Sequence, residues 1–134
     1  MNWTFTNMNK LVEYIWIDGT VGSPQVRSKT KVLNIDDSPG DWSFDGGSTN
    51  QATLENSDVV LRPVRMYQDP FRRGGPNEIA LCEVLNADLS PHETNFRDAL
   101  AAQCRLPEVK NLQPLLGFEQ EYTLLHPYGP LRTD

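Results

Sequence analysis

From position 26 the chain alternates: Val26, Ser28, Thr30 and Val32 point one way, and Arg27, Lys29 and Lys31 the other. A period of two with the charges on one side is the pattern of a half-solvated β-strand. The run before it, LVEYIWIDG (11–19), is dense in Val, Ile, Trp and Tyr and stops at the turn-forming pair Asp18-Gly19. The two runs are expected to pair as a hairpin through GTVGS. DDSPGDW is rich in turn residues, and WSF leads into DGGSTNQATLENS, a long polar loop without helical periodicity.

DVVLRPV (58–64) predicts a further strand, which Pro63 confines to an edge or brings to its end. After the irregular YQDPFRRGGPN, the apolar run IALCEVL (79–85) predicts a strand buried on both faces. His92-Glu93-Thr94-Asn95 forms a helix entrance. FRDALAAQCR then supplies a helix with Phe96, Leu100 and Cys104 on one side, ended by Pro107. Residues 115–125 predict a last strand without a neighbour in this chain, and residues 1–10 a loose polar arm. The sum is an α+β chain: a mixed sheet with long loops, then one helix and an orphan strand.

The 134 residues allow one ordinary domain, or a small domain with a fragment of another. A formal charge of −6 excludes non-specific binding to a phosphate backbone, so no nucleic-acid partner is expected. No apolar run approaches the ~20 residues of a membrane span, and MNWTFTNMNK lacks the pattern of a secretory signal, so no membrane partner is expected. Cys82 and Cys104 lack CxxC spacing, which predicts free thiols in a cytoplasmic protein. Two isolated histidines offer no zinc ligand set.

Two stretches could carry chemistry. Asp45 stands between an aromatic residue and a Gly-Gly pair, where it can either close an Asx-turn or project a carboxylate from a tight corner. Glu119 and Glu121 lie two apart in the expected last strand. On one strand face they would stand about 7 Å apart, either as a solvated acidic face or as ligands to two hard cations. RSKTK and DPFRR could steer anions, but solvation and salt bridging explain them equally, and neither is assigned a catalytic role.

Phe44, Asp45, Gly46 and Ser48, followed by Ser57, Asp58 and Leu61, resemble the N-terminal signature of eukaryotic-type glutamine synthetases. YIWIDGT (14–20), RSKT (27–30), DPFRR (69–73), LCEV (81–84), ETNFR (93–97) and GFEQEYTLL (117–125) resemble further blocks of the same enzymes, in the same order. The resemblance implies a β-grasp domain over residues 10–91 and the truncated start of a catalytic domain over 92–134. It implies that Asp45 is catalytic and that Asp45 and Ser48 bind ammonium. Asp45 would accept the proton, so that ammonia attacks γ-glutamyl phosphate. It also implies that Glu119 and Glu121 are ligands to Mg2+ or Mn2+, one for the ion on ATP and one for the ion beside glutamate.

Partners implied by the resemblance are a catalytic chain of a glutamine synthetase, or a homo- or hetero-oligomer. The remaining metal ligands and the ATP pocket of such enzymes have no counterpart here, so the chain is expected to be inactive alone. The alternative is a non-catalytic protein that docks on a full-length glutamine synthetase and regulates it. Gly47, Asn50 and Asp98 depart from the residues usual in the family, as does the short segment after the expected metal strand.

Overall fold

A computed structural model describes residues 8–126, 129 and 130. The chain divides into two units, residues 1–102 and 103–134.

The first unit holds β1 (Asn9–Ile17), β2 (Val26–Asn34), β3 (Trp42–Asp45), β4 (Asp58–Gln68) and β5 (Glu78–Asn86) in one sheet of order β2-β1-β5-β4-β3. β1 and β5 pair in parallel at its centre, and every other neighbour pair is antiparallel. The expected hairpin is present, with Ile17 opposite Val26. Buried Asp18 ties its loop, accepting from the Gln25 N–H at 2.9 Å and the Thr20 N–H at 3.0 Å. These donors, the Gln25 N–H foremost, outweigh burial and hold the Asp18 carboxyl below the usual range.

Strand periodicity places the core on one face. Val12, Tyr14 and Trp16 of β1 meet Ala80, Cys82 and Val84 of β5, Val59 and Leu61 of β4, and Phe44 of β3. The sheet curls around this layer. The β2–β3 connection crosses it, where the Tyr14 hydroxyl donates to the Gly40 carbonyl at 2.9 Å. Lys29 of the β2 edge reaches the opposite edge: its Nζ donates to the Ser43 carbonyl at 2.9 Å and sits 3.6 Å from the centre of the Trp42 ring. The result is the expected α+β, β-grasp-like fold.

Two sequence expectations need correction within this unit, and a third is decided between its alternatives. β5 is buried on both faces only in part; Ala80, Cys82 and Val84 are buried on one, while on the other Leu85 is buried and Leu81 and Glu83 are half-buried. Two flanking strands take up its backbone bonds, but the main core layer lies on one face only. Of the two places open to Pro63, an edge or a strand end, the structure has the edge, and β4 continues to Gln68. β3 pairs only with Asp58–Leu61, so Pro63 lies where that side of β4 has no neighbour, at a register shift between Pro63 and Arg65. WSF continues into Asp45 as a fifth strand, followed by a 3-10 turn at Gly46–Thr49, inside the stretch expected to be loop.

An ion-paired cluster secures the DPFRR loop. Buried Asp69 accepts from the N–H groups of Phe71 (2.8 Å) and Arg72 (3.2 Å) through one oxygen, and from the Arg72 guanidinium at 2.8 Å through the other. The same guanidinium reaches Glu13 of β1 at 2.8 Å, and Thr30 of β2 also donates to Glu13. Both cysteines are free, as expected; Cys82 is buried and Cys104 exposed.

α1 (Phe96–Arg105) opens where the Asn95 side chain accepts from the Asp98 N–H at 3.0 Å, an N-cap that also explains an acidic residue in the first turn. The second unit contains the end of α1 and then α2 (Pro107–Leu112), β6 (Leu125–His126) and β7 (Gly129–Pro130). Pro107 thus follows the end of one helix and also opens the next. The expected strand over 115–125 is not formed: residues 113–124 have no regular structure, and only Leu125 enters the short β6. A strand requires a neighbour for its N–H and C=O groups, and among the described residues 115–124 have none. Leu115, Leu116, Phe118 and Tyr122 are exposed.

Candidate functional site

Asp45 and Ser48 come together at the corner where β3 ends. Backbone geometry at Asp45 is extended, and its Oδ1 accepts the Gly47 N–H at 3.0 Å, capping the 3-10 turn. The Ser48 hydroxyl donates to the Asp45 carbonyl at 2.9 Å. Both readings of Asp45 therefore hold at once: one oxygen closes an Asx-turn, while Oδ2 has no protein partner among the described residues. The side chain is exposed.

The corner is rigid for local reasons. The Gly46 N–H donates to the Ser57 carbonyl at 2.7 Å, and its own carbonyl accepts the Gln51 N–H at 2.8 Å. A Cβ at Gly46 would collide with Val59 Cγ2 and stand 2.7 Å from the Ala52 Cβ, so only glycine lets this backbone approach β4. Asn50 takes a left-handed conformation (φ 57°), which asparagine tolerates well, and its amide donates to Thr20 at 3.0 Å. The Gly19 N–H donates to the Thr49 carbonyl at 2.9 Å, joining the turn to the end of β1.

Beneath the corner lies a buried polar cluster that sequence reasoning missed. Gln51, His92 and Thr94 bond to one another, with His92 Nε2 2.6 Å from the Gln51 carbonyl, and the Gln51 side chain also accepts from Trp16. The sequence pattern places His92 only in a helix entrance. No local signal distinguishes it, because its partner lies 41 residues away. A depression of about 680 Å3 adjoins the cluster; Asp58, Asp88 and Glu93 are among its lining residues, with no Lys or Arg. That charge pattern is unsuited to a nucleotide's phosphates.

Glu119 and Glu121 lie in the irregular part of the second unit, both exposed. They do not share a strand face. Among the described residues no group of three or more His, Cys, Asp or Glu is placed to hold a metal ion. Mg2+ keeps near-ideal octahedral geometry and Ca2+-like cages need six or more oxygens, so two solvated carboxylates are not a resident site. By themselves these two residues do not complete a cage for Mg2+ or Mn2+; further oxygen ligands would have to come from outside the described residues.

A curled mixed sheet with a carboxylate on a glycine-backed corner defines a small β-grasp module. The family described as glutamine synthetase, beta-Grasp domain, matches residues 8–87. The chain is 47% identical over 123 residues to the glutamine synthetase of Streptomyces viridochromogenes, covering 89% of this chain and 35% of that protein. Its identity to the glutamine synthetase of Emericella nidulans is 50% over 125 residues (89% and 33%), and to that of Gallus gallus 45% over 127 (87% and 32%). The chain belongs to the glutamine synthetase family, through its beta-Grasp domain. It spans about a third of the length of these relatives. No helix among the described residues is long and apolar enough to cross a membrane.

Proposed function

We propose that this chain supplies the ammonium-binding carboxylate of a glutamate–ammonia ligase. Asp45 is the residue, with Ser48 holding its backbone. The observation that carries the reading is the divided use of an exposed Asp45: Oδ1 is committed to the Gly47 N–H, while Oδ2 has no protein partner among the described residues. A carboxylate so held can attract NH4+ and accept a proton from it, leaving ammonia as the nucleophile toward an acyl phosphate of glutamate.

Magnitudes argue for a partner. At 4 Å a pair of unit charges in bulk water gains only about 1 kcal/mol, against about 4 kcal/mol at an effective dielectric near 20. An exposed Asp45 therefore discriminates NH4+ from water weakly until another surface covers it. A catalytic domain of the glutamine synthetase type, in an oligomer, would provide that cover together with ATP, divalent metal and the glutamate site. Residues 92–134 are read as the opening of such a domain, and Glu119 and Glu121 as ligands completed by groups outside this chain. Two free thiols accord with a reducing, cytoplasmic setting.

The test is amide formation from glutamate, ammonia, ATP and Mg2+, by the chain alone and then with a full-length glutamine synthetase. The chain alone should release no phosphate above background. In a reconstituted complex, Asp45→Asn should abolish the contribution of this chain. The second reading, a docking protein without catalysis, is favoured if Asp45→Asn leaves the complex and its activity unchanged.

A further inference from the structure

The buried cluster under the Asp45 corner is wired by groups that have no choice of role. The Trp16 Nε1–H can only donate, so the Gln51 atom it meets at 3.2 Å is the amide oxygen. The Ile17 carbonyl can only accept, and lies 3.2 Å from the Gln51 amide nitrogen. That nitrogen's second hydrogen goes to Thr94 Oγ1 at 2.8 Å, which leaves the Thr94 hydroxyl hydrogen for His92 Nδ1 at 2.9 Å. The backbone N–H of Thr94 also points at Nδ1, at 3.1 Å, and can only donate. Nδ1 therefore carries no proton. The neutral ring holds its hydrogen on Nε2, 2.6 Å from the Gln51 carbonyl oxygen. Gln51 is 4% exposed and His92 7%, so water cannot readily replace these partners.

We propose that His92 is a positioning residue: as the Nε2–H tautomer it clamps the Gln51 carbonyl and thereby holds the loop that carries Asp45 and Ser48. Gln51 transmits the clamp through its N–H, which donates to the carbonyl of Gly46, the residue after Asp45. The other end of the clamp is the segment that enters α1, so residues 92–95 and 45–51 move as one piece. The consequence for catalysis rests on the reading of Asp45 given above, where a displacement of about 1 Å can cost as much as a hundredfold in rate. The clamp itself does not depend on that reading.

Hydrogen exchange on the chain tests it. His92→Ala should speed exchange of the Gly19 and Gln51 amides about tenfold, while amides between β1 and β5 keep their rates. A glutamine side chain places an N–H donor near the position of imidazole Nε2, and an asparagine near Nδ1. His92→Gln should therefore restore protection, and His92→Asn should not. Unchanged exchange in His92→Ala, or equal rescue by asparagine, would overturn the clamp. If the alanine variant fails to fold, imidazole nitrogen shifts of the unaltered site decide the matter. In a His126→Asn variant only His92 contributes; the Nε2–H pattern is expected, and the Nδ1–H pattern overturns the proposal. Should the exchange results hold while Asp45→Asn leaves activity of the complex intact, the clamp stands and the catalytic reading of Asp45 falls.

Discussion

The imidazole of His92 and the backbone carbonyl of Gln51 meet at 2.6 Å across 41 residues of chain. Through that contact the turn carrying the candidate carboxylate is held from below, by the segment that leads into α1. Asp45 thus presents its free oxygen from a corner whose geometry is set by backbone bonds and buried polar groups.

Asp45→Asn separates charge from structure. Asparagine retains an oxygen to accept the Gly47 N–H, so thermal stability should change by no more than about 0.5 kcal/mol. Asp45→Ala loses the cap as well and should cost about 1 kcal/mol in denaturant unfolding. Equal stability losses for both variants would mean that the charge, not the cap, supports the corner.

Gly46→Ala should destabilise the chain by roughly 1–3 kcal/mol, because the new methyl has no room between Val59 and Ala52. Gly117→Ala, where a Cβ meets nothing within 4 Å, serves as the control. Urea midpoints of the two variants give the comparison directly.

The Glu13–Arg72–Asp69 cluster predicts a loss of stability in acid. Burial pushes both carboxyls up. For Asp69 the Arg72 guanidinium and two backbone N–H groups outweigh it; for Glu13 the Ser28 and Thr30 hydroxyls and Arg72 do so. Both carboxyls end below their ordinary values. A carboxylate with a lowered folded-state pKa stabilises the native chain above its unfolded value, near 4, and that stabilisation is lost as pH falls through the lowered folded value. Unfolding midpoints measured from pH 6 down to pH 2 should therefore fall, and Asp69→Asn should flatten the slope. An unchanged slope in that variant would remove Asp69 from the explanation.

The two thiols should differ sharply in reactivity. Burial pushes Cys82 up to about 12, whereas Cys104 is exposed. Iodoacetamide at neutral pH should label Cys104 and leave Cys82 untouched until the chain is unfolded, as peptide mass spectrometry would show. Early labelling of Cys82 would contradict the packing of β5.

Wherever local pattern decides the outcome, the amino-acid sequence was sufficient. Alternation in 26–32 and the Asp18-Gly19 stop determined the first hairpin, because side-chain period and turn chemistry act over a few residues. The order of family-like blocks foretold the β-grasp-like sheet. Pairing partners were another matter. Residues 115–125 carry the composition of a strand, yet among the described residues no neighbouring strand takes up the backbone bonds of 115–124, and Glu119 and Glu121 consequently share no face. The partial burial of the second face of β5 and the passage of β4 beyond Pro63 likewise depended on which segments lie alongside. The His92–Gln51 clamp is the clearest instance of what tertiary structure alone decided. A hydrogen bond between residues so far apart leaves no periodicity and no spacing in the chain; it exists only because the curled sheet brings the two segments together.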